Sequence, residues 1–303
     1  MNRNLGRKLL VYLISVVSII LWGMSYIWSD QLLRVDIPVF YIVCIRSLIA
    51  GLVLMFFNLL FGHSIRIRKE DLPKFLGLSL CEPFIYFVCE TYGIKLTESP
   101  TYSALVIATA PIFSVAAGVA IFKEKMNWVN ILGIVICIIG LGVVTHGSTA
   151  VGDHFVLGIF LLLIAVMSEV GYASCTKSLS RRYKPMVIVQ YQFLIGGIML
   201  LPLFAFKGLA SFDAGLYMSW TVWKPILCLA VLCSSIAFTL WASTIKNLGV
   251  ARASIFLAMI PVVTACIGAI LGTEILNTKQ WTGIAIAFGG LVLTQYVVKR
   301  KRS

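Results

Sequence analysis

The sequence predicts an all-α polytopic membrane protein: ten transmembrane helices arranged as two inverted five-helix repeats, with both termini cytoplasmic. Three observations lead there. First, 60% of the 303 residues are hydrophobic and only 12% are charged, and mean hydropathy is +0.97. Soluble domains carry roughly 25% charged residues. Second, ten apolar runs approach the roughly 20 residues a helix needs to cross a bilayer. Third, the run from Pro111 to Gly140 returns 150 positions later: Pro111 matches Pro261, Gly118 Gly268, Glu124 Glu274, Asn127 Asn277, Gly133 Gly283 and Gly140 Gly290. Matches of Pro, Asn and Glu at one ungapped offset exceed what a Gly-rich apolar composition supplies. The halves are therefore read as 1–147 and 148–303.

The spans run in order over 9–29, 38–61, 74–94, 100–121, 127–146, 155–175, 186–206, 224–244, 251–272 and 280–298. The first follows Arg3, Arg7 and Lys8, like the basic start of a signal peptide. It lacks a small-residue cleavage site and nine spans follow it, so it is read as a retained helix. Connections are short and leave no room for a soluble domain. The longest, Phe206–Trp223, carries Trp220 and Trp223 and is expected along the membrane interface. Pro83, Pro111 and Pro261 are expected to interrupt the third, fourth and ninth spans.

Orientation follows from Lys and Arg. Of the 25, nineteen fall on one side: the N-terminus, Arg66 to Lys74, Lys123 and Lys125, Lys177 to Lys184, Lys246 and Arg252, and Lys299 to Arg302. Five fall on the other (Arg34, Lys95, Lys207, Lys224 and Lys279), and Arg46 lies inside a span. This bias places both termini in the cytoplasm. It also accounts for the net charge of +13 without nucleic acid, because the charge is spread over six short segments. Five spans per half is an odd number, so the second half must enter the membrane upside down. Inverted repeats of this kind mark transporters, with the substrate site near the midplane.

The eight cysteines fall almost entirely in apolar runs without CxxC or Cys/His spacing, so they read as small apolar fillers, not as disulfides or metal ligands. No cofactor is expected. The three histidines, at 63, 146 and 154, sit at loop or span ends, no Asp occupies a credible mid-span position, and no HExxH is present. An intramembrane enzyme is therefore disfavoured.

Leu21-Trp22-Gly23-Met24-Ser25 in the first span resembles an LWG-x-[SN] pattern, and Ile45-Arg46-Ser47-Leu48-Ile49-Ala50 in the second resembles FxR-xxxA. Each half also has a Pro-centred fourth span ending in Glu and a Gly-bearing fifth span. In these features, over essentially its whole length, the chain resembles the EamA-type ten-span transporters of the drug/metabolite transporter superfamily. The resemblance implies export or exchange of small metabolites, often amino acids, by alternating access without ATP, and a cytoplasmic (inner) membrane location. No Walker sequence is present, in keeping with a secondary carrier. The sixth span departs from the family pattern with Glu169 in Met167-Ser168-Glu169-Val170-Gly171-Tyr172, and Glu82 and Glu90 are not general family features either.

The four charged residues clearly within spans are Arg46, Glu82, Glu90 and Glu169, and each should face a cavity or a partner. Glu82, Tyr86 and Glu90 stand at i, i+4 and i+8, one broad face of the third helix, with Glu82 roughly 12 Å from its basic end at about 1.5 Å per residue. Such a stripe suits proton exchange or pairing with a substrate amine; alternatively one acid pairs with Arg46 and the other wets an entrance. Trp22, Ser25 and Tyr26 share a face in the outer part of the first helix, and Glu169 and Tyr172 lie in the inner part of its counterpart, the sixth. Trp241, Ser243 and Thr244 in the eighth span are read as cavity or cytoplasmic-gate groups, and Cys233-Ser234-Ser235 as helix–helix glue. The site expectation is thus Trp22, Ser25, Tyr26, Glu82, Tyr86, Glu90, Glu169, Tyr172 and Trp241. Adding 150 to Glu82 and Glu90 gives Leu232 and Leu240, so these acids belong to one half only.

Arg46 either binds a substrate carboxylate through its planar fork or braces the second helix; its place in a motif shared across varied substrates points to bracing. Glu124 and Glu274 precede following spans and read as helix N-terminal caps. With Pro111 and Pro261 they form the structural set. The expected cargo is a small metabolite such as an amino acid, crossing a lipid bilayer, with protons as possible coupling partners. Three acids against one Arg also fit cationic amines, and aromatic, Met-rich walls would fit lipid translocation.

Overall fold

The computed structural model describes residues 2–63, 66–110, 113, 128–147, 154–208, 214–257, 259–273 and 276–294. Pro111, Glu124 and Glu274 lie outside the described residues. Within these limits the chain is helical, with no strand. Six helical stretches are long and apolar enough to cross a membrane: Leu9–Arg34, Val39–Leu60, Lys69–Thr97, Phe155–Leu179, Pro185–Lys207 and Trp220–Leu248.

Helix α1 spans Asn2–Arg34 and α2 Val39–Leu60, the latter entered through Pro38, whose φ of −60° suits a helix start. The third span is interrupted at Pro83, as the sequence leads one to expect. It consists of α3 (Leu72–Ser79), a wider π turn (Leu80–Ile85) and α4 (Tyr86–Thr97). Pro83 has no N–H to continue the ladder, and Glu82 just before it takes an extended conformation, φ −148° and ψ 122°. The carbonyl of Cys81 is met instead by Ser168 Oγ from the sixth span, at 2.6 Å.

Next come α5 (Pro100–Ile107), capped by Ser99 accepting from Tyr102 N–H, and α6 (Trp128–Gly147). In the second half, α7 covers Phe155–Leu179 and α8 Pro185–Leu203. A short α9 (Ala214–Tyr217) precedes α10 (Trp220–Leu227), a π segment (Cys228–Ala237) and α11 (Phe238–Leu248). The ninth span is split into α12 (Val250–Leu257) and α13 (Ile260–Leu271), with the buried Pro261 just inside α13, and α14 covers Thr278–Thr294.

Pairing is systematic. Helix α6 packs along α14, α2 along α8, and α4 along α7, while α1 lies against the 228–237 segment, α11 and α13. Small residues make the closest approaches, as bilayer helices require when apolar burial alone offers little preference. Gly140 abuts the backbone of Ala287, and Gly290 abuts that of Cys137. A Cβ on Gly51 would stand 2.7 Å from the Leu194 side chain. The outward faces are apolar, with Leu10, Leu13, Phe56, Phe160, Ile198 and Ile270 all exposed, which is the surface that lipid tails cover. Polar side chains turn inward: Arg46, Glu82, Glu90, Gln190 and Gln192 are all buried.

The end of the molecule carrying the 2–3 and 6–7 connections is held by an ionic cluster. Asp71 is buried and accepts from Lys74 (3.1 Å), Arg182 (3.1 Å) and the Tyr183 hydroxyl (3.0 Å), and Arg182 also reaches Glu70 at 2.7 Å. The start of the third span is thereby tied to the segment following the sixth.

Candidate functional site

A central cavity lies where α1, α2, the broken third span, α5, α7, α11 and the split ninth span converge. Seven of the nine residues expected from sequence line it: Trp22, Ser25, Tyr26, Glu82, Tyr86, Glu90 and Glu169. Trp241 lines a second, smaller neighbouring cavity. Tyr172 lines neither. It is fully buried behind the wall, its ring 5.9 Å from Phe238 in an edge-on contact.

The break at Pro83 does not scatter the acidic stripe. Extension at Glu82 replaces the helical 100° step, yet Glu82, Tyr86 and Glu90 all remain on the cavity. The Tyr86 hydroxyl donates to Glu90 Oε1 at 3.2 Å. The Tyr26 hydroxyl approaches Glu90 from α1 without completing a hydrogen bond. Glu82 is 1% exposed and its Oε2 has no partner. Ser25 is turned back onto its own helix, its Oγ donating to the Trp22 carbonyl at 2.7 Å.

Arg46 sits at the same cavity, 1% exposed. Its Nε and Nη2 donate to Ser234 Oγ at 3.2 and 3.1 Å, and its guanidinium lies 3.9 Å over the Phe87 ring. Among the described residues it forms no ion pair with an acid. It ties α2 to the eighth span, and Nη1 remains buried without a partner. Ser234 therefore acts as the glue residue of the Cys233-Ser234-Ser235 step, and Cys233 Sγ reaches the Leu21 carbonyl at 3.0 Å. Thr244 bonds Ser15 at 2.9 Å, joining α11 to α1.

The apolar wall was missed by sequence reasoning. Phe87, Phe238, Ile107, Leu257 and Ile260 all line the central cavity. Phe238 is the hub: its ring centroid lies 4.9 Å from Trp22, 5.2 Å from Phe193 and 5.9 Å from Phe87. Trp22 also packs edge-on against Trp241 at 5.1 Å. A signal was available, because Ser234, Phe238 and Trp241 follow steps of four and three, one helical face. The site offers three carboxylates and one guanidinium set in aromatic and aliphatic walls. Side chains of this kind can pair with opposite charge, and aromatic and aliphatic walls can pack against an apolar body. Among the described residues no group of His, Cys, Asp and Glu is arranged to hold a metal ion.

Comparison with known proteins agrees with this architecture. The model of the EamA-like transporter family matches twice, over residues 9–146 and 156–296. The uncharacterized transporter YetK of Bacillus subtilis is 26% identical over 284 residues, covering 92% of this chain and 84% of its own. A probable terminal-alkyne amino-acid exporter of Streptantibioticus cattleyicolor is 28% identical, covering 75% and 74%. A probable amino-acid metabolite efflux pump of Salmonella typhimurium is 21% identical, covering 96% of each chain. One crystal structure shares the fold with a TM-score of 0.70 at 18% identity, over 93% of this chain and 95% of its own. The helical membrane architecture and the two family matches together place this multi-pass membrane protein, a transporter, in the EamA-like family of the drug/metabolite transporter superfamily.

Proposed function

We propose that the protein is a proton-coupled secondary exporter of small amino-acid-like metabolites in the cytoplasmic membrane, working by alternating access around the central cavity. Ten helices form two inverted halves, 1–147 and 148–303, with both termini cytoplasmic. The observation that carries the reading is the convergence of polar groups from both halves on one cavity: Trp22, Tyr26, Arg46, Glu82, Tyr86 and Glu90 from the first, Glu169 from the second. Sites at the meeting of inverted repeats serve carriers that rock one bundle against another. The acids bind the ammonium of the cargo or a proton, Arg46 supplies the one counter-charge, and the aromatic wall takes an apolar body. The names of two relatives, an amino-acid exporter and an amino-acid metabolite efflux pump, support the substrate class.

A second reading, export of cationic amines, is favoured by one fact: the cavity holds three carboxylates and a single guanidinium. Counterflow in proteoliposomes separates the two. Purified protein is given phenylalanine, phenethylamine, N-acetylphenylalanine and a nucleoside, with and without a pH gradient. Saturable, gradient-stimulated flux led by phenylalanine is the expected result. Preference for phenethylamine shifts the assignment to amines, and absence of flux for every solute refutes the carrier reading.

A further inference from the structure

Residues 66–74 and 181–184 carry seven Lys and Arg against two acids, Glu70 and Asp71. Both acids are occupied. Glu70 Oε1 accepts from Arg68 at 3.3 Å and Arg182 at 2.7 Å, and Asp71 accepts from Lys74 and Arg182, each at 3.1 Å. Among the described residues Arg66, Lys69, Arg181 and Lys184 form no ion pair. The surplus is gathered in one place: Arg66, Arg68, Arg182, Tyr183 and Lys184 line a single open groove. Membrane topology accounts for an excess of Lys and Arg on one side. It does not account for segments 115 positions apart in the chain converging on one concavity.

The groove has a fixed floor. Tyr183, half-buried, accepts from the Arg68 backbone N–H at 3.1 Å and donates to Asp71 Oδ2 at 3.0 Å. Its ring packs edge-on against Phe75 at 5.3 Å. Helix α8 starts at Pro185, directly after Lys184, so the positive end of its dipole adds to the same field. Asn58, in the last turn of α2, donates to the Met186 carbonyl at 3.2 Å and to Gln190 at 2.9 Å, which fixes the end of α2 beside the start of α8. That end of α2 is apolar and exposed at Phe57, Leu60 and Phe61, with the Phe57 and Phe61 rings stacked at 6.0 Å.

We propose that this groove binds the headgroup of an anionic phospholipid, its phosphate paired with Arg66, Arg182 and Lys184 and its acyl chains lying along Phe57, Leu60 and Phe61. Position favours a lipid over a soluble anion. The basic segments join directly to the membrane-crossing stretches Val39–Leu60, Lys69–Thr97, Phe155–Leu179 and Pro185–Lys207, so they stand at headgroup level. Arg meets phosphate oxygens with paired N–H donors, and Lys supplies a point charge. The phosphate answers the positive surplus that Glu70 and Asp71 leave uncompensated. Arg66 falls within the first family match and Arg182 and Lys184 within the second, so one lipid bridges the two connections that the Asp71 cluster already ties. Its binding stabilises this arrangement by mass action. Neither the cargo nor proton coupling enters into the site.

The test is thermal unfolding of the purified full chain in mixed micelles titrated with phosphatidylglycerol, phosphatidylcholine or inorganic phosphate. Wild type should melt about 2–5 °C higher with phosphatidylglycerol, and salt at about 0.5 M should remove most of that shift. R66Q/K184Q removes two exposed groove cations that form no ion pair among the described residues. Its lipid-free melting temperature should match wild type, while half-saturation should need about tenfold more phosphatidylglycerol or beyond. K224Q/K279Q removes equal charge from exposed positions outside the groove and should titrate as wild type does. Native mass spectrometry should retain a bound phosphatidylglycerol on wild type and lose it from R66Q/K184Q. Equal shifts with phosphatidylcholine, an unchanged titration in R66Q/K184Q, or an equal loss in K224Q/K279Q would overturn the site. A shift reproduced in full by inorganic phosphate would overturn the lipid as its occupant.

Discussion

At the residue scale, Arg46 shows how a charge is kept inside an apolar protein. Among the described residues its guanidinium makes no salt bridge; it is held by one serine hydroxyl and one ring face. Hydrogen bonds to a charged group contribute about 1.5–3 kcal/mol, so Ser234→Ala should lower stability by about that amount in reversible unfolding from mixed micelles. The same variant should weaken transport more than Ser235→Ala, since Ser235 bonds only backbone carbonyls, of Ala50 and Ala230. This residue also marks the limit of sequence reading. That Arg46 had to face a cavity or partner followed from the cost of an intramembrane charge. That the partner is Ser234, 188 positions away, depends on how the second and eighth spans lean together. The site acids were legible because charge is rare in this sequence. The aromatic wall was not, because Phe238 and Phe87 look like any other apolar residue until packing gathers them.

At the element scale, proline and glycine do most of the shaping. Pro83 and Pro261 were expected to interrupt their spans, and both lie beside a change of helix: the π turn in the third span and the 257–260 break in the ninth. The extended backbone at Glu82 could not be read from spacing, since a periodicity argument assumes an unbroken helix. The glycines act by absence of a side chain. A Cβ at Gly140 or Gly290 would collide with the facing backbone, whereas Gly142 and Gly289 look onto open space. Gly140→Leu or Gly290→Val should therefore cost about 1–3 kcal/mol or more, while Gly142→Ala should be neutral or add up to about 1 kcal/mol of helix preference. Thermal melting of the three single variants in one detergent checks both directions.

For the whole molecule, the ionic cluster ties together two spans that reach the central cavity. Asp71 ties the start of the third span to the loop after the sixth, and these are the two spans that carry Glu82 and Glu169. If the carrier opens at this end, the cluster has to part. Asp71→Asn should raise the rate at which a cysteine placed at Ala173, on the second cavity, reacts with a membrane-impermeant maleimide, by severalfold over the parent. No change would mean that closure at this end rests on packing alone, for instance on the Phe75 and Tyr183 rings at 5.3 Å. The helical, polytopic character and the offset of 150 were readable from hydropathy and from Pro, Gly, Asn and Glu recurring together. Which faces meet was not, because an apolar helix in a bilayer has no amphipathic stripe to declare its inner side.

The glycine seam carries a further consequence. Gly140 touches Ala287 and Gly290 touches Cys137, and the offset of 150 that carries the first glycine onto the second also carries Cys137 onto Ala287. Each contact is the image of the other. A bulkier residue arising in either copy therefore meets backbone supplied by the opposite copy, so drift at the seam is opposed from both directions. Residues around the cavity face empty volume and require no matching change in their counterparts. Descent from a single half-length ancestor would leave the seam alike in both copies and the cavity free to diverge, and Glu82, Glu90 and Glu169, none of them duplicated, occupy the part of the molecule where novelty was least constrained.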